Sequence, residues 1–153
     1  ALAKHGLSGA SLCLEITETV MMEDYATAAA TIVRLRDLGV RVAVDDFGRE
    51  YSAHAYIKRF PVTDLKIDKS FISTLDVPES SDAALVGAIV GMARALGLTA
   101  VAEGVETDTQ AERLLELGCD KAQGYLYSGP VDEEQLPRVI AALNGRATRR
   151  LSV

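Results

Sequence analysis

Short apolar runs alternate with longer stretches whose apolar residues recur at helical spacing along most of this chain. The short runs predict strands near residues 11–17, 40–46, 64–67, 99–102 and 121–126. The longer stretches predict helices over 24–38, 81–96 and 107–117, each ending at a glycine, with further helices near 52–59 and over 132–144. Strands that alternate with helices are typical of a parallel α/β sheet, and such mostly apolar strands are expected to be buried on both faces.

The composition indicates one folded domain. The 153 residues are 48% hydrophobic, which is enough to fill a sizeable core. The formal net charge is −6 and no basic stripe is interleaved with aromatic residues, which argues against a nucleic-acid groove. No apolar run approaches the roughly 20 residues of a membrane helix, so a cytoplasmic location fits best. Cys13 and Cys119 match no metal or redox spacing, and we predict both to be reduced core residues.

Polar side chains collect at the C-terminal ends of the predicted strands, the edge where ligands bind in parallel barrels and doubly wound sheets alike. The set consists of Glu15, Glu18, Asp45, Asp46, Lys66, Asp68, Glu103, Glu106 and Gln123. Carboxylates that converge without partners repel one another and take up protons, so this cluster requires a counter-charge. Hard divalent cations such as Mg²⁺, Mn²⁺ or Ca²⁺ prefer oxygen ligands, and two of them would suit phosphoryl transfer.

The adjacent pair Asp45 and Asp46 is the most unusual part of this set. Neighbouring side chains on a strand point to opposite faces, so a regular strand gives no reason for both to be acidic. One of them would also fit as the cap of a following helix, but capping accounts for only one. Glu15 and Glu18 would also fit as acidic residues near a helix start.

The remaining candidates each have an ordinary structural explanation as well. Lys66 would fit as a surface lysine, although its apolar neighbours Leu65 and Ile67 place it on the opposite face from a buried pair. Glu103 and Glu106 would fit a capping arrangement around Gly104. Gln123 is uninformative alone, and His5 and His54 match no pattern. The functional interpretation depends on the repetition of polar residues at successive strand ends.

Five segments of the chain resemble, in order, the motifs of the EAL domain family, the cyclic di-GMP phosphodiesterases of bacterial signalling. They are LEITET, VAVDDFG, LKIDKSFI, VAEGVET and QGYLYSGP, which together cover about Leu12 to Val139. The resemblance implies an α/β, TIM-barrel-like fold with its site at the C-terminal rim. It also implies hydrolysis of cyclic di-GMP to linear pGpG with Mg²⁺ or Mn²⁺, whereas Ca²⁺ is expected to be inhibitory.

The resemblance assigns a role to each matching residue. Glu15 and Asp45 resemble metal ligands, and Asp46 resembles the carboxylate that bridges two ions. Lys66 resembles the lysine that holds the attacking water, and Glu103 resembles the glutamate that binds metal or acts as a base.

Three further residues resemble supporting positions of the family. Glu106 and Gln123 look like members of the metal and water shell, and Glu18 looks like the anchor of the loop after the aspartate pair. That loop is connected with dimerisation in the family, so a homodimer is possible, as are upstream sensor or GGDEF domains in the parent protein.

Two departures from the family pattern change this expectation. Arg49 and Glu50 stand after Gly48 where the family usually has threonine and glycine. The E-A-L segment with its metal-binding glutamate and the asparagine ligand after it are absent. We therefore expect residues 1–145 to form the C-terminal part of an EAL domain, an incomplete barrel of about five parallel strands, followed by a flexible tail at 146–153.

Loss of two metal ligands implies weak or no activity for this unit alone. The alternative is a non-catalytic module that binds cyclic di-GMP or a protein partner, which Arg49 and Glu50 favour. Retention of Lys66, Glu103 and both aspartates favours the enzyme.

Overall fold

The computed structural model describes residues 2–48, 57–77 and 80–150, and its centre is a five-stranded parallel sheet. The strands follow one another in chain order, β1 to β5, and every neighbouring pair is parallel. Their bounds are β1 Cys13–Thr17, β2 Arg41–Phe47, β3 Asp64–Ile67, β4 Thr99–Ala102 and β5 Lys121–Ala122. A sheet that grows in one direction and is not closed confirms the predicted incomplete barrel.

Six helices and three short 3₁₀ turns connect the strands within these ranges. The helices are α1 Glu18–Glu23, α2 Tyr25–Asp37, α3 Lys69–Ile72, α4 Asp82–Ala95, α5 Asp108–Glu116 and α6 Leu136–Arg150, and the turns are Leu2–His5, Gly9–Ser11 and Ile57–Arg59. The long predicted helices are confirmed to within a few residues. The short helices α1 and α3 were not predicted, because each is about one turn and too short for a periodic pattern.

Three boundaries differ from the sequence expectation. β5 covers only the first two residues of the strand predicted at 121–126, because the chain turns at Gly124. A side chain there would meet the backbone of Val105, whose carbonyl oxygen would lie 2.2 Å from the added Cβ. Of the helix predicted near 52–59, only the turn Ile57–Arg59 lies within the described residues. Helix α6 begins at Leu136 and continues to Arg150, while the tail predicted at 146–153 stays a prediction.

The two faces of the sheet differ in chemistry. Register and side-chain alternation place one apolar set on the face that α2 and α4 cover: Val42, Val44, Leu65, Ile67, Ala100 and Ala102. All six are buried and belong to the hydrophobic core. The other face carries the polar residues of the strands, in two clusters at opposite ends of the sheet. The core therefore holds the sheet in place from one side and leaves the other side for charged groups.

Burial on both faces holds for β3 and for most of β2, but β4 is buried on one face only, and β1 and β5 have exposed residues. Cys13, Leu14 and Glu15 are exposed, because β1 is an edge strand of the sheet that the structure describes. The prediction that Cys13 is a core residue is therefore wrong. Cys119 is half-buried, packs against the core, and its thiol lies 3.3 Å from the carbonyl oxygen of Lys121. Neither cysteine forms a disulfide within the described residues.

Candidate metal centre at the carboxyl ends of the strands

Lys66 forms the centre of a charged cluster built from four neighbouring strands. Its side chain is buried, with the whole residue 5% exposed. The ammonium Nζ lies 2.6 Å from Glu15 Oε2, 2.9 Å from Asp45 Oδ1 and 2.6 Å from Glu103 Oε1. We call these four residues the Lys66 cluster. Four of the predicted site residues thus meet at one point, because parallel strands bring their carboxyl ends to the same edge.

The electrostatics of the cluster show an excess of negative charge. Burial acts to lower the pKa of Lys66, but its hydrogen bonds to Glu103, Glu15 and Asp45 outweigh this and raise that pKa above its usual value. The pKa of Glu103 is also raised, first by burial, while the Lys66 ammonium lowers it and the charges of Asp45 and Glu15 raise it further. One ammonium therefore does not compensate all of the carboxylates around it.

Asp46 joins this group through an irregularity in β2. The pairing of β2 with β3 shifts register between Val44 and Phe47, and Asp46 has a backbone φ of 54°, in the left-handed region. As a result, one carboxylate oxygen from each of Asp45, Asp46 and Glu103 lies within 4.8 Å of the others. Such an extra residue in a strand redirects the side chains around it. The bulge explains how two adjacent carboxylates can contribute to one site.

The donor set fits a hard divalent cation. It consists of carboxylate oxygens, which Mg²⁺ and Mn²⁺ prefer, and it carries more negative charge than Lys66 neutralises. A buried, uncompensated negative charge is costly, and a bound cation would remove that cost. Asp45, Asp46 and Glu103 are therefore the residues that could hold a metal, with Glu15 beside them.

Gln123 connects the end of β5 to the same cluster. Its side-chain Nε2 donates a hydrogen bond of 2.7 Å to Glu103 Oε1, and its backbone N donates to the carbonyl oxygen of Ala102. Glu103 Oε1 therefore receives hydrogen bonds from both Lys66 and Gln123. This contact orients the carboxylate and leaves its other oxygen for a further ligand.

Three residues of the predicted set are not members of this carboxylate group: Glu106, Glu18 and Asp68. Glu106 is exposed and is not a member of the carboxylate group; its backbone N donates to Gln110 Oε1 at 2.8 Å. Glu18 is buried at the first position of α1, and it is also outside that group. Asp68 is explained by capping, because its side chain accepts the backbone N–H of Ser70 at the start of α3.

The remaining residues named from the sequence are His5, Arg49, Glu50 and His54. His5 is exposed in the first 3₁₀ turn. Arg49, Glu50 and His54 lie outside the described residues.

Sequence reasoning missed a second charged cluster at the amino ends of the strands. Asp64 is 1% exposed and accepts two hydrogen bonds from Arg41, one of them 3.1 Å long from Nε, while Lys121 Nζ lies 3.7 Å from its Oδ1. We call Arg41, Asp64 and Lys121 the Asp64 cluster. Each residue stands at the first position of its own strand, and no motif marks the three as partners.

It also missed Gln110, a buried polar side chain on α5. Here a sequence signal existed, because Thr107 and Gln110 have the spacing of a capping box.

Comparison with known proteins finds relatives of this chain in sequence and in backbone structure. The sequence model described as EAL domain matches residues 1–130. The chain is 45% identical over 141 residues to the bifunctional diguanylate cyclase/cyclic di-GMP phosphodiesterase MucR of Pseudomonas aeruginosa, covering 92% of this chain and 20% of MucR. The solved structure of the MucR phosphodiesterase in complex with c-di-GMP matches with a TM-score of 0.81 at 45% identity, over 88% of this chain and 54% of that one.

A further solved structure contains a metal. The manganese and cyclic di-GMP complex of Klebsiella pneumoniae BlrP1 matches with a TM-score of 0.77 at 32% identity, over 84% of this chain and 33% of that one. BlrP1 has also been solved with calcium and cyclic di-GMP.

These relatives are longer than the chain described. The chain spans about one fifth of the length of the curated relatives it matches, and about half of the solved MucR domain. The similarity nevertheless extends over most of this chain, in sequence and in backbone structure. The chain therefore belongs to the EAL domain family.

Proposed function

We propose that this chain forms the metal-binding side of a phosphodiesterase site that hydrolyses cyclic di-GMP to linear pGpG. The single observation that carries the proposal is the excess of carboxylates around Lys66 at the carboxyl ends of four strands. The relatives support the choice of substrate, since MucR is named a cyclic di-GMP phosphodiesterase and its solved domain holds c-di-GMP. The activity is proposed for the domain of which this chain is a part.

The carboxylates would hold two divalent ions, Mg²⁺ or Mn²⁺. Asp45, Glu15 and Glu103 are the proposed ligands, and Asp46 is the proposed bridge between the ions, since its oxygen is close to those of Asp45 and Glu103. When bound, such ions polarise the phosphodiester and acidify water. The manganese complex of BlrP1 supports an ion of this kind in the family.

Lys66 and Glu103 are the residues proposed to act on the attacking water. Lys66 has a raised pKa and already carries its proton, so it would orient the attacking water rather than remove its proton. All three of its N–H groups face carboxylates, and an ion that bound those carboxylates would free a donor for that water. Glu103 would bind metal or act as the base, through the carboxylate oxygen that does not accept from Lys66 and Gln123. Gln123 would hold Glu103 in orientation through its 2.7 Å hydrogen bond.

Glu18 and Glu106 have proposed roles outside the group of metal-binding carboxylates. Glu18 is buried next to β1, where it would anchor the loop that follows the aspartate pair. Glu106 follows Glu103 on the same loop and would belong to the outer shell of metal and water.

The setting of the domain is proposed from the same relatives. No helix of the described ranges is long and apolar enough to cross a membrane, and we place the domain in the cytoplasm. The bifunctional MucR supports a diguanylate cyclase domain of the GGDEF type in the parent protein. A homodimer is proposed as the working state.

Calorimetry and product analysis test the proposal together. The chain is titrated with Mn²⁺, then with cyclic di-GMP in the presence of Ca²⁺, and pGpG is measured by chromatography with Mg²⁺ or Mn²⁺. We expect Mn²⁺ binding, cyclic di-GMP binding without turnover in Ca²⁺, and pGpG release far slower than that of the MucR domain. Lys66→Met should abolish the release, whereas Lys121→Met, a matched control in the Asp64 cluster, should not change it.

Three results would contradict parts of this proposal. If calorimetry detects no Mn²⁺ binding, the proposal of a metal centre is refuted. Release of pGpG at the rate of the MucR domain would refute the weak activity of this unit. Binding of cyclic di-GMP without any pGpG under either activating metal, measured on the complete domain that contains this chain, would identify the chain as part of a non-catalytic binding module.

A further inference from the structure

The loop between β4 and α5, residues 103–107, is fastened to its surroundings along its length. Glu103 N donates to the carbonyl oxygen of Ile67 at 3.2 Å, and Val105 N donates to that of Gln123 at 3.1 Å. Gly104 has a φ of 69°, and a side chain there would overlap Lys69 on α3. Backbone hydrogen bonds at Glu103 and Val105, together with the close approach of Lys69 to Gly104, therefore hold the loop in place.

Gln110 closes the far end of this loop. Its side-chain Oε1 accepts two backbone N–H groups, from Glu106 at 2.8 Å and from Thr107 at 3.2 Å, while Thr107 Oγ1 accepts the N–H of Gln110 at 3.1 Å. A capping box requires only the bond to the N-cap residue, Thr107. The additional bond to Glu106 reaches outside the helix and holds the loop itself.

Burial makes these bonds difficult to replace. Gln110 is 4% exposed, so water cannot readily take the place of its carbonyl oxygen, and its loss would leave backbone donors unpaired. A chain of contacts then leads to the cluster: the backbone of Glu106 adjoins Val105, which pairs with Gln123, whose Nε2 binds Glu103 Oε1.

We propose that Gln110 is a positioning residue for Glu103 and Gln123, acting through the backbone of the loop 103–107. The inference rests on the proposed function for its consequence in metal binding. A glutamate would cap the helix equally well, because either residue supplies the acceptor.

Three variants of the full chain separate positioning from capping. Gln110→Met keeps the length of the side chain and removes the acceptor. Gln110→Glu keeps the acceptor. Asp24→Ala is the matched control, because it removes one cap hydrogen bond, to Thr27 N at 3.1 Å, from helix α2, which carries no residue of the Lys66 cluster.

Two measurements are made on each variant. One is the Kd of Mn²⁺ from calorimetry, and the other is the NMR signal of the Gln123 side-chain amide in the metal-free chain. For Gln110→Met we expect a Kd about tenfold higher, the lower end of the effect of removing a group that orients metal ligands, and a displaced Gln123 signal. Gln110→Glu should restore both, and Asp24→Ala should lower the melting temperature while leaving both unchanged.

The outcomes are distinct. A wild-type Kd and an unmoved Gln123 signal in Gln110→Met would overturn the proposal and leave Gln110 as a helix cap. If the wild-type chain binds no Mn²⁺, the proposed function fails, and the Gln123 signal alone still decides the role of Gln110. If Gln110→Met does not fold, Gln110→Asn, whose shorter side chain cannot reach the loop, takes its place in both measurements.

Discussion

Two charged clusters lie at opposite ends of the same face of the sheet, and they are built with opposite signs. In the Lys66 cluster one buried ammonium meets three carboxylates, with Asp46 close by. In the Asp64 cluster one buried carboxylate meets two cations, Arg41 and Lys121, and it also accepts a 2.5 Å hydrogen bond from Thr63. The Asp64 cluster is built from the first residues of three strands, whereas the Lys66 cluster lies towards the carboxyl ends of four.

The two clusters differ in whether the chain itself compensates their charge. The oxygens of Asp64 are fully supplied with donors by the chain, and its hydrogen bond to Arg41 raises the pKa of that guanidinium. The Lys66 cluster keeps an excess of negative charge, because one ammonium faces three carboxylates. Burial first, and then the charges of Asp45 and Glu15, raise the pKa of Glu103. A cluster that the chain satisfies by itself serves the fold, whereas one that the chain leaves unbalanced is arranged for a cation from outside.

The largest expected effect comes from removing the central cation. Lys66→Met leaves Glu15, Asp45 and Glu103 facing one another in a partly buried site, and we expect a loss of about 3–5 kcal/mol in the free energy of unfolding of the metal-free chain. Mn²⁺ should recover part of this loss, which urea denaturation with and without the ion would measure. Stability equal to that of the wild type would show that the carboxylates are not electrostatically coupled to Lys66.

Metal addition is expected to have the next largest effect. At a free Mn²⁺ concentration about 100 times its Kd, binding to the folded state alone stabilises the wild-type chain by about 2.7 kcal/mol. Removal of the ion with a chelator should reverse the gain, and Asp46→Asn should reduce it. Thermal denaturation monitored by circular dichroism provides the measurement, and an equal gain in Asp46→Asn would place the ion elsewhere.

A substitution in the Asp64 cluster should reduce the free energy of unfolding by a smaller amount, and that amount should not depend on metal. Asp64→Asn keeps the shape of the side chain but removes the charge that Arg41 binds, and we expect a loss of about 2 kcal/mol, typical of a hydrogen bond to a charged group. Urea denaturation should give the same loss with and without Mn²⁺. Recovery by Mn²⁺ would contradict the division between the two clusters.

The smallest effect concerns the thiol beside the Asp64 cluster. Burial and the charge of Asp64 raise the pKa of Cys13, and burial raises that of Cys119. A raised pKa leaves less thiolate at a given pH, so both should react with iodoacetamide more slowly at pH 8 than a free thiol does. Cys13, which is exposed, should still react faster than Cys119, as mass spectrometry of the modified peptides would show.

Repeated patterns and contiguous motifs made most of the fold predictable. The alternation of apolar runs with periodic segments predicted the class and the long elements, because the burial of an apolar face over many residues leaves a strong sequence record. One-turn helices such as α3 leave no such record. Cys13 was assigned to the core from its residue type alone, and its exposure depends on the edge position of β1, which no local pattern encodes.

In the site, too, some residues could be predicted from the sequence and others could not. Five carboxylates and amides at strand ends, including Glu103 and Gln123, were recognisable because parallel strands gather their carboxyl ends at one edge. The bulge that turns Asp46 towards Asp45 and Glu103 was not, because it arises from the pairing of β2 with β3. Contacts between distant residues, such as Arg41 with Asp64, were likewise beyond reach.

The sequence by itself thus determined the order of strands and helices, the acidic edge and the family, since these follow from local periodicity and from motifs that are contiguous in the chain. The tertiary structure alone decided which charges meet. Whether a carboxylate is compensated depends on groups that lie within about 4 Å of it in space, and strand pairing brings those groups together from four separate parts of the sequence.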